Sequence, residues 1–160
     1  MQSTTQIRPG EEAVETPGSF DAGVWFVGRI HTPWKTRRDC PRRGDLDGPV
    51  CRIEVDAPWR KALGGLSRRH THLQVLYWMH EARRDLVTQT PNHTGAVSGT
   101  FSIRSPNRPN PIASSLVAIV EVHEDGVSVR GLDCLDGTPL VDLKPEACPH
   151  DRARPEVAGG

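Results

Sequence analysis

From Arg104 to Ser115 the chain reads Arg-Ser-Pro-Asn-Arg-Pro-Asn-Pro-Ile-Ala-Ser-Ser. Each proline fixes its own φ and drives the residue before it towards extended backbone, so this stretch is predicted to be a stiff loop with aimed side chains. Two guanidiniums on such a loop suit a carboxylate or a phosphate, and Asn110 can both donate to and accept from a base edge or a ribose. The same composition also occurs in ordinary surface loops. Asp133 and Asp136 are further candidates, although Asp136-Gly137 is equally a common turn pair. His70, His72 and His80 are even numbers of residues apart and would share one face of a continuous strand. His80 would then lie ~26 Å from His72, too far to share an ion. No acid at a matching spacing completes a set with His70 and His72, so no metal site is expected.

The elements that must carry these residues are mostly strands. Val24–Ile30 is rich in β-branched and aromatic residues, and Val50–Val55 alternates cleanly. Asp56-Ala57-Pro58 opens, and Gly64-Gly65 closes, a short predicted helix with an Asp cap. The apolar run within Thr71–Met79 predicts a central buried strand. Gly99–Ile103, Ser115–Val122, Val127–Leu132 and Pro139–Leu143 follow, the third joined to the second across Glu124-Asp125-Gly126, a strong hairpin signal. The sum is a mainly β fold, a small closed or nearly closed β-barrel of six to seven strands with one or two short helices. No G-x-G-x-x-G is present, so a nucleotide-like cofactor must bind from barrel loops.

The chain is 160 residues long with 20 basic and 20 acidic residues. That length fits one core domain, read as residues 21–147, between a loose N-terminal arm (1–20) and a loose tail (148–160). Zero net charge argues against holding nucleic acid by bulk charge, yet basic residues cluster at 35–38, 42–43, 68–70, 83–84 and 104–108. No apolar run is long enough to span a bilayer, and Met1–Gly18 is polar and acidic, which predicts no membrane association and a cytoplasmic location. Cys40, Cys51, Cys134 and Cys148 have neither C-x-x-C nor zinc spacing and are expected to be free thiols.

Arg104-Ser-Pro-Asn-Arg-Pro-Asn-Pro-Ile112 resembles the signature of the TrmO (YaeB-like) family, enzymes that methylate N6 of threonylcarbamoyladenosine beside the tRNA anticodon. Four other segments match in order: Gly28–Lys35 (Gly-Arg-Ile-His-Thr-Pro-Trp-Lys), Pro41–Gly44, Thr71-His72-Leu73 through His80, and Leu132–Pro145. The resemblance implies a β-barrel, S-adenosylmethionine as methyl donor, a tRNA anticodon loop as substrate, and a homodimer with its cofactor site near the subunit contact. Carried over by position, it suggests cofactor contacts from Arg42, Arg43, Gly44, His80, Glu81, Arg104, Leu132, Asp133, Leu135 and Asp136. Ala113, Ser114 and Gln74 depart from the family's usual residues.

Such a donor asks for an acid or carbonyls near its sulfonium, a cation near its carboxylate and apolar walls for its adenine. Asp133 and Asp136 are the acids on offer. An acceptor for the proton lost in methyl transfer is sought among His72, His80 and Asp133, which the sequence does not rank. Lys35, Arg108 and Asn110 are the candidates for binding substrate, and Trp34 could stack an unpaired base. Two other readings stand beside this one: a methyltransferase acting on a small molecule, and an RNA-binding barrel without catalysis.

Overall fold

The computed structural model describes residues 7–92 and 94–146; Cys148 and the predicted tail lie outside them. Among these residues the strands are β1 (Glu12–Ala13), β2 (Gly28–His31), β3 (Cys51–Val55), β4 (His72–Trp78), β5 (Leu86–Gln89), β6 (Ser98–Gly99), β7 (Ile112–His123), β8 (Gly126–Arg130) and β9 (Thr138–Pro145). A four-residue helix, α1 (Leu66–Arg69), follows a 3₁₀ helix over Ala57–Leu63. The chain forms two compact units, one from Met1–Gly23 with Met79–Ala113, the other from Val24–Trp78 with Ser114–Gly160.

The larger unit holds the expected closed barrel, of six strands in the order β2-β3-β8-β7-β4-β9. Closure gives the sheet one interior, so each strand buries alternate residues. In β3, Cys51, Ile53 and Val55 point inward, and in β4 Leu73, Val75 and Tyr77 do. β4 is therefore buried on one face, not on both as its apolar run suggested. Ile30, Val117, Val127, Val129 and Leu140 complete the core at 0% exposure. β9 pairs antiparallel with β2 on one side, Gly28 opposite Leu140, and with β4 on the other, Val75 opposite Leu143. The predicted hairpin forms between β7 and β8, with His123 opposite Gly126.

The smaller unit contains a three-stranded sheet in the order β1-β5-β6. Glu12–Ala13, within the segment expected to be a loose arm, pairs with β5, which the sequence analysis did not identify. Gly99–Ile103 is not a strand: after the two residues of β6 the chain turns through a 3₁₀ helix, Thr100–Ser102. The cause is Thr100, whose buried hydroxyl donates to the Leu86 carbonyl at 2.8 Å and satisfies an inward-facing polar group that a ladder would not.

Two other expectations are corrected in the larger unit. Val24–Val27 is not strand, because β2 begins only at Gly28, opposite the last residue of β3, Val55. The helix after Asp56 is 3₁₀ over Ala57–Leu63, and Asp56 makes no side-chain cap. Leu140 sits on the strand that closes the barrel from both sides. Leu140→Ala should lower unfolding stability by about 2–5 kcal/mol in urea denaturation, the usual cost of a core cavity.

Candidate functional site

The segment between β8 and β9 carries both predicted acids. Asp133 is half-buried, and its Oδ1 accepts from the Tyr77 hydroxyl at 2.7 Å and from Ser115 Oγ at 3.2 Å. Tyr77 and Ser115 are themselves 2.8 Å apart. Two hydroxyl protons thus serve three contacts, and the two shortest form a relay from Ser115 through Tyr77 to the carboxylate, each bond polarising the next. Burial, and then the charge of Asp133, push the Tyr77 phenol far above its ordinary range, so it stays a donor. Oδ2 of Asp133 makes no hydrogen bond among the described residues.

The same segment is packed against the Pro41–Gly44 loop. A Cβ on Gly44 would lie 1.8 Å from the Gly131 carbonyl oxygen, so only glycine allows this approach. Gly131 has φ +109°, which disfavours a side chain there too. Arg42 and Arg43 stand exposed beside this contact, whereas Leu132 is fully buried and Leu135 half-buried. Leu132 can therefore offer only its backbone.

Asp136 is committed locally. Its Oδ2 accepts from Lys35 Nζ at 2.5 Å, its Oδ1 accepts from the Thr32 amide at 3.1 Å, and His31 Nδ1 lies 3.7 Å away. With the Asp136 amide donating to the Trp34 carbonyl at 2.8 Å, these bonds clamp residues 32–35 to the turn that leads into β9. The Lys35 ammonium, and to a lesser extent the Thr32 amide and His31, hold the Asp136 carboxyl below the usual carboxylate range.

His72, at the other end of β4 from Tyr77, is not brought near Asp133. The strand from His72 to Tyr77 spans about 17 Å, and His72 Nδ1 instead meets the Thr71 hydroxyl at 3.0 Å. His70 precedes β4. β4 ends at Trp78, so the three histidines do not share one strand. Among the described residues no group of three or more His, Cys, Asp or Glu is placed to hold a metal. Cys40, Cys51 and Cys134 form no disulfide among the described residues, and burial pushes the Cys134 thiol up to about 12.

In the smaller unit the Arg104–Pro111 stretch is a loop, as expected, pinned by bonds with Arg83, Arg84, Gln89, Thr100 and Ile103. Asn107 Oδ1 accepts from the Arg83 amide at 3.0 Å, and its carbonyl accepts from buried Gln89 Nε2 at 2.7 Å. Arg108 turns inward, its Nη2 donating to the Ile103 carbonyl at 2.7 Å and to that of Thr100 at 3.2 Å. Arg84 donates to the Pro109 carbonyl at 2.6 Å and to Asn110 Oδ1 at 3.1 Å. His80, Glu81, Arg104 and Asn110 are exposed.

The sequence analysis missed Tyr77, Ser115 and Gly131. The only tyrosine of the chain, set in an apolar strand, was the available signal, because a buried phenol needs a polar partner. Tyr77→Phe should cost about 1.5–3 kcal/mol, the range for a hydrogen bond to a charged group, in chemical denaturation. Because folding lowers the Asp136 pKa, its stabilisation is present above the unfolded value of about 4 and is lost as pH falls through the lower folded value. Asp136→Asn should flatten the acid arm of the stability–pH curve below about pH 4, as read by denaturation at a series of pH values.

Residues 29–152 match the family described as tRNA-methyltransferase O N-terminal domain. A relative from Rhizobium radiobacter, named "Probable S-adenosyl-L-methionine-binding protein VirR", is 48% identical over 146 residues, covering 91% of this chain and 83% of that protein. The tRNA (adenine(37)-N6)-methyltransferase of Escherichia coli is 36% identical over 130 residues, covering 74% of this chain and 55% of that enzyme. The crystal structure of TrmO from Pseudomonas aeruginosa superposes with a TM-score of 0.66 at 26% identity, over 89% of this chain and 61% of that one. The chain thus spans less than two thirds of the E. coli enzyme and of the solved TrmO chain. With the family match covering most of its length and the barrel shared, the chain belongs to the tRNA-methyltransferase O N-terminal domain family.

Proposed function

We propose that this chain is an S-adenosylmethionine-dependent methyltransferase acting on an adenosine of tRNA, and that the acceptor is N6 of threonylcarbamoyladenosine in the anticodon loop. The reading is carried by one observation: the Arg42-Arg43-Gly44 loop seats on Gly131 beside half-buried Asp133, in a member of this family.

The residues fit the cofactor. Arg42 and Arg43 are exposed cations suited to its carboxylate. Asp133, whose Oδ2 makes no hydrogen bond among the described residues, is the acid suited to its sulfonium. Asp136, held by Lys35 and Thr32, supports the segment instead. Gly44, the Leu132 backbone and Leu135 frame the same place. His80, Glu81 and Arg104 are kept as cofactor-binding candidates on the resemblance.

When bound, S-adenosylmethionine supplies the methyl group to be transferred. The chain's part is to hold the acceptor nitrogen in line at near-attack distance, a contribution of up to ~7–11 kcal/mol to the barrier, and to accept the proton which that nitrogen loses. We assign the proton acceptor to Asp133, since His72 lies at the opposite end of β4; His80 is the alternative. RNA contact by Lys35, Arg108 or Asn110 Oδ1 would exchange the bonds these side chains now make, to Asp136, to the Ile103 and Thr100 carbonyls and from Arg84. A homodimer and a cytoplasmic location belong to the same proposal.

Calorimetric titration with S-adenosylmethionine should show micromolar-range binding that Asp133→Ala weakens about tenfold or more, as expected for losing a charged partner. Unchanged affinity would place the cofactor elsewhere. Mass analysis of tRNA nucleosides from a deletion strain should show loss of the methylated threonylcarbamoyl nucleoside. Its persistence, with binding intact, would favour a small-molecule acceptor or a non-catalytic barrel.

A further inference from the structure

Val24, Trp25 and Phe26, rich in strand-forming residues, stay outside the barrel ladder and are exposed, Trp25 to 79%. The Trp25 ring is not loose: it stacks on Trp59 with centroids 6.0 Å apart and planes 29° from parallel. Trp59, itself 39% exposed, belongs to the 3₁₀ helix and forms one wall of a cavity of about 650 Å³. Val55, Leu63, Leu140 and Leu143 supply apolar lining, while Arg68 and His70 add polar groups. The size suits one flat ligand group with its substituents.

Beyond Asp56, whose carbonyl accepts from the Trp59 amide at 2.9 Å, the segment that carries Trp59 has charges of one sign. Between Ala57 and His72 the sequence has four arginines or lysines and two histidines, and no carboxylate, in a chain of zero formal net charge. Arg60 is oriented by its Nε donating to the Val55 carbonyl at 3.0 Å. Among the described residues one acid, Asp142, lines the cavity, and it is paired with Lys144 Nζ at 2.9 Å. The cavity uses β9 from Leu140 to Pro145, and its lining includes neither Asp133 nor the Tyr77 and Ser115 side chains that bond to it. It is therefore separate from the Asp133 carboxylate.

Stacked indoles open to solvent, an adjoining cavity that admits a base, and a run of cations are the requirements for unpaired RNA: bases stack on the rings and phosphates meet the cations. We propose that the Trp25–Trp59 stack, with Lys61 and Arg68, binds an unpaired stretch of the RNA substrate away from the reacting nucleotide. This rests on the reading that the substrate is RNA. The surface acts as an anchor: it sets RNA affinity and leaves cofactor binding alone. It also supplies locally the attraction that the chain's zero net charge does not.

The test uses the full chain, an unmodified tRNA transcript in fluorescence anisotropy, S-adenosylmethionine in calorimetry, and sedimentation. Trp25→Ala removes a solvent-exposed ring and should weaken tRNA binding about tenfold, within the range for losing one base–aromatic stack. Arg68→Glu should weaken it further and reduce its salt dependence, Trp25→Phe should retain most of the affinity, and S-adenosylmethionine affinity should not change in any of them. Wild-type tRNA affinity in both Trp25→Ala and Arg68→Glu would overturn the proposal. So would a shift from dimer to monomer in Trp25→Ala, which would make the surface a self-association face. If the wild-type protein binds S-adenosylmethionine but no tRNA, the RNA reading itself fails and this surface loses its ligand with it.

Discussion

β9 is hydrogen-bonded along both edges, to β2 and to β4, and that double pairing closes the barrel. Closure removes free strand edges and fixes which residues face inward, since a slip of one residue would exchange the two faces of every strand. It also fixes the approach to β9. The chain must travel from the end of β8 to the start of β9 beside the barrel, and that short path, Gly131 to Gly137, carries Asp133 and Asp136. Both acids therefore lie on a short connection anchored at each end by a barrel strand.

The two acids differ in what surrounds them. Asp136 spends both carboxylate oxygens on Thr32 and Lys35, so its charge is answered within the protein. Asp133 receives two hydroxyls on one oxygen from strands β4 and β7, which orient the group without adding a positive charge beside it. A carboxylate of this kind keeps its charge for something else. The Gly44–Gly131 approach places Arg42 and Arg43 next to the same segment, so an oriented acid and exposed cations meet where the cofactor is proposed to lie.

The alternation of Cys51–Val55 and the Asp125-Gly126 hairpin were legible because their period and turn chemistry are local. Val24–Val27 was misread for the opposite reason: its composition says strand, yet pairing depends on a partner, and β3 ends opposite Gly28. Leu86–Gln89 was too short to show a period, and Thr100 turned the chain by a bond to a carbonyl 14 residues earlier. In the site, Asp133 was legible through resemblance, but its partner Tyr77 is 56 residues away with no spacing to betray it. Arg108 was read as aimed at a ligand; the loop was right, and the aim was inward.

The account places the methyl donor against the Gly44–Gly131 contact and Asp133, and away from the cavity walled by Trp59. Backbone amide shifts followed by NMR during titration with S-adenosylmethionine test this most directly. The largest shifts should fall on residues 42–44 and 131–136, with the amides of residues 57–70 near their starting positions. Shifts concentrated on 57–70, with 42–44 and 131–136 unmoved, would contradict it.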